Sequence, residues 1–94
     1  MRPAKLSDLE IDARLSEVPL WHRENDSIAR LFTRTSFSEA IAFVVRIGFL
    51  AEAADHHPDI DIRYRRVTVV LATHDADGLT DLDFQLAAQI DDIA

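Results

Sequence analysis

The chain of 94 residues contains no cysteine. Disulfides and thiolate metal sites are therefore excluded, and so is a cysteine nucleophile. Glycine occurs twice and proline three times. That leaves no linker-like or low-complexity stretch and no glycine-rich phosphate loop. Positive charge is scarce: ten Lys and Arg face seventeen Asp and Glu, a net charge of −7. This balance argues against a general nucleic-acid binder, which must displace counterions, and against docking on anionic lipid. Long apolar runs are also missing. The longest, Ile41 to Ala51, is broken by Arg46 and is too short to span a bilayer. Met1-Arg2-Pro3-Ala4-Lys5 has two basic residues with no apolar stretch behind them. No secretory signal is read there, and the expected location is the cytoplasm. There is no internal repeat. The length allows one domain, residues 1–94, and no full Rossmann sheet. A core this small without a staple is marginal, and oligomerisation is one usual remedy.

The apolar fraction of 48% and charged fraction of 29% are those of a globular protein. Ser7 and Glu10 form a capping box between the staple residues Leu6 and Ile11, which predicts a short helix continuing through Leu9, Ala13 and Leu15. Pro19 stops it. Leu20 to Arg23 reads as a strand, Glu24 to Ser27 as a polar turn, and Ile28 to Thr33 as the returning strand. On that second strand Ile28, Arg30 and Phe32 share one face. Ser36 and Glu39 form a second capping box before a long helix, Phe37 to Ala54. Its apolar stripe reads as Phe37, Ala40, Ile41, Val44, Ile47 and Ala51. Phe43, Val45, Phe49 and Leu50 make the opposite side apolar too, so cover from a second subunit is expected. Phe37, Phe43 and Phe49 all read as core. Tyr64 to Thr73 reads as one long β-branched strand, with its edge available for pairing with a copy of itself. Asp75 to Gly78 is a turn, and Thr80 with Asp83 caps a final helix. The expected architecture is α+β: a small antiparallel sheet with three helices packed on one face, in the order α-β-β-α-β-α.

Three histidines stand at element ends. His56 and His57 follow the long helix, and His74 follows the long strand, where loop residues from rigid elements can converge. Histidine both takes and gives protons near neutral pH. Acids surround them: Glu52 one turn before His56, then Asp55, Asp59, Asp75 and Asp83. Each feature also has a plain structural reading. A histidine at a helix end can serve the helix dipole, Asp83 can serve only as a cap, and Glu52 can be a solvated helix residue. Three histidines can also hold zinc, although adjacent histidines splay by about 100° on a helix end. His22 beside Trp21 reads as structural.

Glu52-Ala-Ala-Asp-His56-His57-Pro58, then Tyr64, Val67, Val69, Leu71, Thr73-His74, and Gly78-Leu79-Thr80 with Asp83 closely resemble the pterin-4a-carbinolamine dehydratase family. Trp21, Ile28-x-Arg30-x-Phe32 and Phe37-x-x-Ala40-x-x-Phe43 extend the resemblance from about Leu6 to Ile93. It implies an antiparallel sheet with helices on one side, assembled as homodimers or homotetramers. It implies dehydration of 4a-hydroxytetrahydropterin to quinonoid dihydropterin, with the pterin as substrate, no cofactor and no metal. By position, the active-site histidines fall on His56, His57 and His74, and the supporting or substrate-binding acids on Glu52 and Asp83. Some family members instead act as binding modules or transcriptional coactivators. Three positions depart from the pattern: Arg34 in place of a phenylalanine, Gly48 in place of an alanine, and Leu82 in place of the basic residue of animal members.

Overall fold

A computed structural model of the protein describes residues 3–94. Met1 and Arg2, where no secretory signal is read, lie outside the described residues. The elements are α1 (Asp8–Leu15), β1 (His22–Glu24), β2 (Ser27–Thr33), α2 (Phe37–Ala54), β3 (Asp59–Arg63), β4 (Arg66–Leu71) and α3 (Asp81–Ile93). The four strands pair antiparallel in the order β1-β2-β4-β3. The fold is the expected α+β arrangement, with three helices on one face of the sheet.

The helices start at their predicted N-caps. The Ser7 hydroxyl accepts from the Glu10 N–H at 3.2 Å, and the Glu10 carboxylate accepts from the Ser7 N–H at 2.9 Å. The staple residues Leu6 and Ile11 are both buried. At α2 only half of the second box forms. The Ser36 hydroxyl caps the Glu39 N–H at 3.1 Å, but its other contact is the Ser38 hydroxyl rather than a returning Glu39.

The core is one cluster joining both sheet and helices. Phe32 of β2 packs on Phe43 of α2 with ring centroids 4.9 Å apart, and Trp21 meets Phe32 edge-on at 6.1 Å. Ile28, Val67, Val69 and Leu71 line the same inner face. Arg30 shares that face because its guanidinium reaches Asp91 of α3 at 2.6 Å, and the Trp21 indole N–H donates to the same carboxylate oxygen at 2.8 Å.

The tertiary structure changes four expectations. First, the strand foreseen over Tyr64 to Thr73 is the second arm of a hairpin. Asp59-Ile60-Asp61-Ile62-Arg63 forms β3, and Tyr64 turns at φ 54°. β4 is therefore internal, and the free edges belong to β1 and β3. Second, β1 begins at His22, because Leu20 is exposed and Trp21 turns into the core. Third, α2 buries Ala40, Phe43, Ile47 and Ala51, while Phe37, Ile41, Val45 and Phe49 face outward. Fourth, only Phe43 of the three helical phenylalanines is core, because its 3.6-residue phase matches Ala40 and Ile47. At the departure from the resemblance, the Arg34 guanidinium lies 5.0 Å over the Phe43 ring, a flat cation in place of an aromatic ring.

Candidate active site

Two loops build the site. α2 ends at Asp55, which takes a left-handed conformation (φ 49°, ψ 43°), and the His56 N–H bonds back to the Ala51 carbonyl at 3.1 Å. Glycine is the usual residue in such a C-terminal cap, and Asp tolerates it better than most side chains. The reversal sends His56 inward toward α3 and leaves His57 on the surface. The second loop follows β4. Thr73 and Gly78 bridge across a short 3-10 turn at His74–Ala76, with Thr73 N–H to Gly78 O at 3.0 Å. A Cβ on Gly78 would stand 2.7 Å from Cε of the flexible Lys5 side chain, which would have to swing aside.

Asp83 is the anchor. It is fully buried, and three donors converge on it. His56 Nε2 meets Oδ1 at 2.5 Å; the Thr73 hydroxyl and the Thr80 N–H meet Oδ2 at 2.8 and 3.0 Å. An ionised Asp83 only accepts, and against it His56 Nε2 is the donor. The Thr73 proton is committed to Asp83, so the Thr80 hydroxyl donates to Thr73 at 2.8 Å and itself accepts from the Leu82 N–H at 3.3 Å. The chain of donors is thus directed and closed. With Asp83 ionised, a neutral His56 carries its proton on Nε2 and its lone pair on Nδ1. Asp83 caps α3 in the same stroke, so the structural and the chemical readings of this residue coexist.

His57 Nε2 contacts Glu52 Oε1 at 2.6 Å in the open. The His74 imidazole is exposed and has no hydrogen-bonded partner among the described residues. All three histidines line one cleft of about 250 Å³, with Thr73, Asp55 and Asp75. Of the residues singled out in the sequence, Asp83 and Glu52 do not reach its wall: Asp83 stands behind His56, and Glu52 braces His57 from outside. Among the described residues, no three His, Asp or Glu side chains come together in a metal-holding arrangement, and no helix is long and apolar enough to cross a membrane. The sequence assigns no site role to Thr73 and Thr80, and it names Asp55 only as a flanking acid. The available signals were a threonine continuing the inward parity of Val67, Val69 and Leu71, and an aspartate at the expected helix end.

An α+β fold that gathers three histidines beside an aspartate-capped helix is the class to which known proteins can now be compared. The family model for pterin 4 alpha carbinolamine dehydratase matches residues 4–93. A protein of Roseiflexus castenholzii, provisionally named pterin-4-alpha-carbinolamine dehydratase, is 59% identical over 90 residues, covering 96% of this chain and 97% of its own. A protein of Thermomicrobium roseum with the same provisional name is 46% identical over 91 residues, covering 97% and 98%. The crystal structure of a transcriptional coactivator/pterin dehydratase from Brucella melitensis superposes with a TM-score of 0.92 at 35% identity, covering 96% of this chain and 98% of that one. A pterin dehydratase-like protein described as a RuBisCO assembly factor in the alpha-carboxysome shares the fold alone, with a TM-score of 0.66 at 21% identity. The chain belongs to the pterin-4-alpha-carbinolamine dehydratase family.

Proposed function

We propose that the three-histidine cleft dehydrates 4a-hydroxytetrahydropterin to quinonoid dihydropterin and water. The observation that carries this reading is the convergence of His56, His57 and His74 on one cleft, with His56 fixed by buried Asp83. In the reaction the C4a–O bond breaks, the N5–H proton leaves, and a C4a=N5 double bond forms. A proton must reach the departing hydroxyl, and another must be accepted from N5. His56 and His74 form the proton-transfer pair, and His57 holds the hydroxyl or the pterin edge. Asp83 and Glu52 act through the imidazoles they hold. General acid–base assistance of this kind is worth about 10²–10⁴-fold. No electrons are exchanged, so the chemistry asks for no redox cofactor.

The test follows the decay of 4a-hydroxytetrahydropterin with and without the protein. Acceleration over background is expected, lost in a His56→Ala/His74→Ala double variant. An unaccelerated decay, or a double variant as fast as wild type, overturns the reading.

The outward stripe of α2 supports self-association. Phe37, Ile41, Val45 and Phe49 recur every fourth residue and are 52%, 39%, 52% and 73% exposed. A contiguous apolar stripe of this kind marks an interaction surface. A homodimer or homotetramer that buries it is the assembly proposed. The same stripe is what a non-catalytic binding module would offer to a partner helix. A pull-down that survives loss of all three histidines, together with absent turnover, would favour the module. Neither nucleic acid nor membrane is proposed as a direct partner.

A further inference from the structure

The tip of the β3–β4 hairpin, Arg63-Tyr64-Arg65-Arg66, lies at the opposite end of β4 from His74 and takes no part in the histidine cleft. In a chain of net charge −7, it gathers three of the ten Lys and Arg into four consecutive residues. All four are exposed. Two features of the tip cost stability without serving the sheet. Arg63 and Arg66 stand directly opposite each other in the register, and like charges so placed repel. Tyr64 sits in the left-handed region at φ 54°. The other non-glycine residues described there are Asn25, Asp55 and Asp77, types that tolerate it. A bulky aromatic is strained in that region, and glycine or asparagine would turn the chain at less cost. The Tyr64 ring is 70% exposed, so burial does not offset the strain.

The charge at the tip is largely uncompensated. Among the described residues, the Arg65 and Arg66 side chains form no ion pair, and Arg63 has only long contacts of 3.3 and 3.4 Å with Asp61. Arg34 adds a fourth cation at this end of the sheet. Its backbone N–H bonds the Arg65 carbonyl at 2.8 Å, and its buried Nε has no hydrogen-bonded partner. Beside the tip, on the outer face of the sheet, Leu31, Asp61, Arg63, Arg66 and Thr68 surround a hollow of about 170 Å³. Leu31 is 46% exposed at its wall.

We infer that the Arg63–Arg66 tip is a docking site for a short acidic segment of a partner protein, with carboxylates on the arginines and an apolar side chain in the hollow against Leu31. A carboxylate between Arg63 and Arg66 relieves their repulsion and matches the guanidinium fork. Tyr and Arg are the residue types that dominate binding at protein interfaces. Carboxylates suit the hollow better than phosphates, because Asp61 on its wall repels a dianion more strongly than a monoanion. A long polyanion is further opposed by the net charge of −7.

The experiment uses fluorescence anisotropy with the full chain and a labelled peptide of Asp, Glu and Leu. The controls are the same peptide with Asn and Gln in place of the acids and a single-stranded RNA of matched charge. Wild type is expected to bind the acidic peptide about tenfold more tightly than its amide counterpart, the value of a few exposed ion pairs, and more tightly than the RNA. The preference should shrink as salt is raised. Arg65→Ala/Arg66→Ala, checked by circular dichroism, should weaken acidic-peptide binding about three- to tenfold. Tyr64→Asn should weaken it as well while leaving the melting temperature equal or higher, a combination that a purely structural tyrosine would not give. Turnover of 4a-hydroxytetrahydropterin should match wild type in all these variants. Equal binding of the acidic and amide peptides, RNA bound as tightly as the acidic peptide, or unchanged binding by the double variant overturns the inference. A lower mass of the double variant in light scattering would show that another copy of the chain covers the tip, and overturns it too.

Discussion

At the scale of single residues, the proposed chemistry rests on Asp83 more than its sequence context reveals. Asp83→Asn keeps the shape but offers one oxygen where two receive three donors, so an amide N–H must face a donor. The expected result is a destabilisation of about 1–3 kcal/mol, the cost of an unsatisfied buried polar group, and a fall in kcat beyond that explained by folding. Denaturant titration and turnover measure the two parts. Thr73→Val removes the hydroxyl that donates to Asp83 and leaves the Thr80 O–H behind it without its acceptor. A loss of about 1–3 kcal/mol is expected, with Thr73→Ser restoring both stability and rate. A rate that ignores Thr73→Val would show that the network serves folding alone. Glu52→Gln tests the other brace: with both partners exposed, little stability is at stake, and any change belongs to the orientation of His57.

At the scale of elements, α1 and α2 make contrasting predictions. The Ser7 N–H and hydroxyl bond the Glu10 carboxylate and hold its pKa below the ordinary 4.5. A depressed folded-state value means the stabilisation is present above the unfolded pKa and is lost as pH falls through the folded one. The melting-temperature gap between wild type and Glu10→Gln should therefore be present at neutral pH and close on acidification below the carboxylate range. Opposite it, Asp81 raises the pKa of Arg14, the same pairing that tethers α1 to the start of α3 at 2.8 Å. In α2, a Cβ on Gly48 would meet nothing within 4 Å. Gly48→Ala should thus stabilise the helix by about 0.5–1 kcal/mol, the backbone-entropy cost of glycine. A destabilised Gly48→Ala protein would show that another chain approaches the helix there.

At the scale of the whole molecule, the core is closed within one chain: Phe43, Ile47, Val67 and Leu71 are fully buried without any partner. The radius of gyration, 13.0 Å, is that of a compact domain of this length. Self-association therefore has an outer stripe to cover rather than a core to complete. Phe49→Asp should shift the protein to the monomer in light scattering while leaving the monomer folded. A Phe49→Asp protein with wild-type mass would exclude the α2 stripe as the contact. Charge adds to this picture. Part of the acidic excess lines the histidine cleft, through Asp55 and Asp75.

The sequence by itself determined the elements whose causes are local. Caps at Ser7, Ser36 and Thr80 and the 3.6-residue phase of α2 depend on neighbours within one turn, and such neighbours are written in the spacing. The three histidines were legible for a related reason: each stands at an element end, and the ends are set by Asp55, Pro58 and the turn before Gly78. β3 carried a clean two-residue alternation, yet Tyr64 in a left-handed turn gives no glycine or asparagine to announce the hairpin. Only the tertiary structure decided which apolar face of α2 is covered, because both faces satisfy the same periodicity. It alone decided that His56 is the buried histidine and that its partner stands 27 residues away. It also decided that Thr73 and Thr80 complete that pair. Hydrogen bonds between elements depend on how the elements pack, and packing distances across a sheet and two helices have no counterpart in residue spacing.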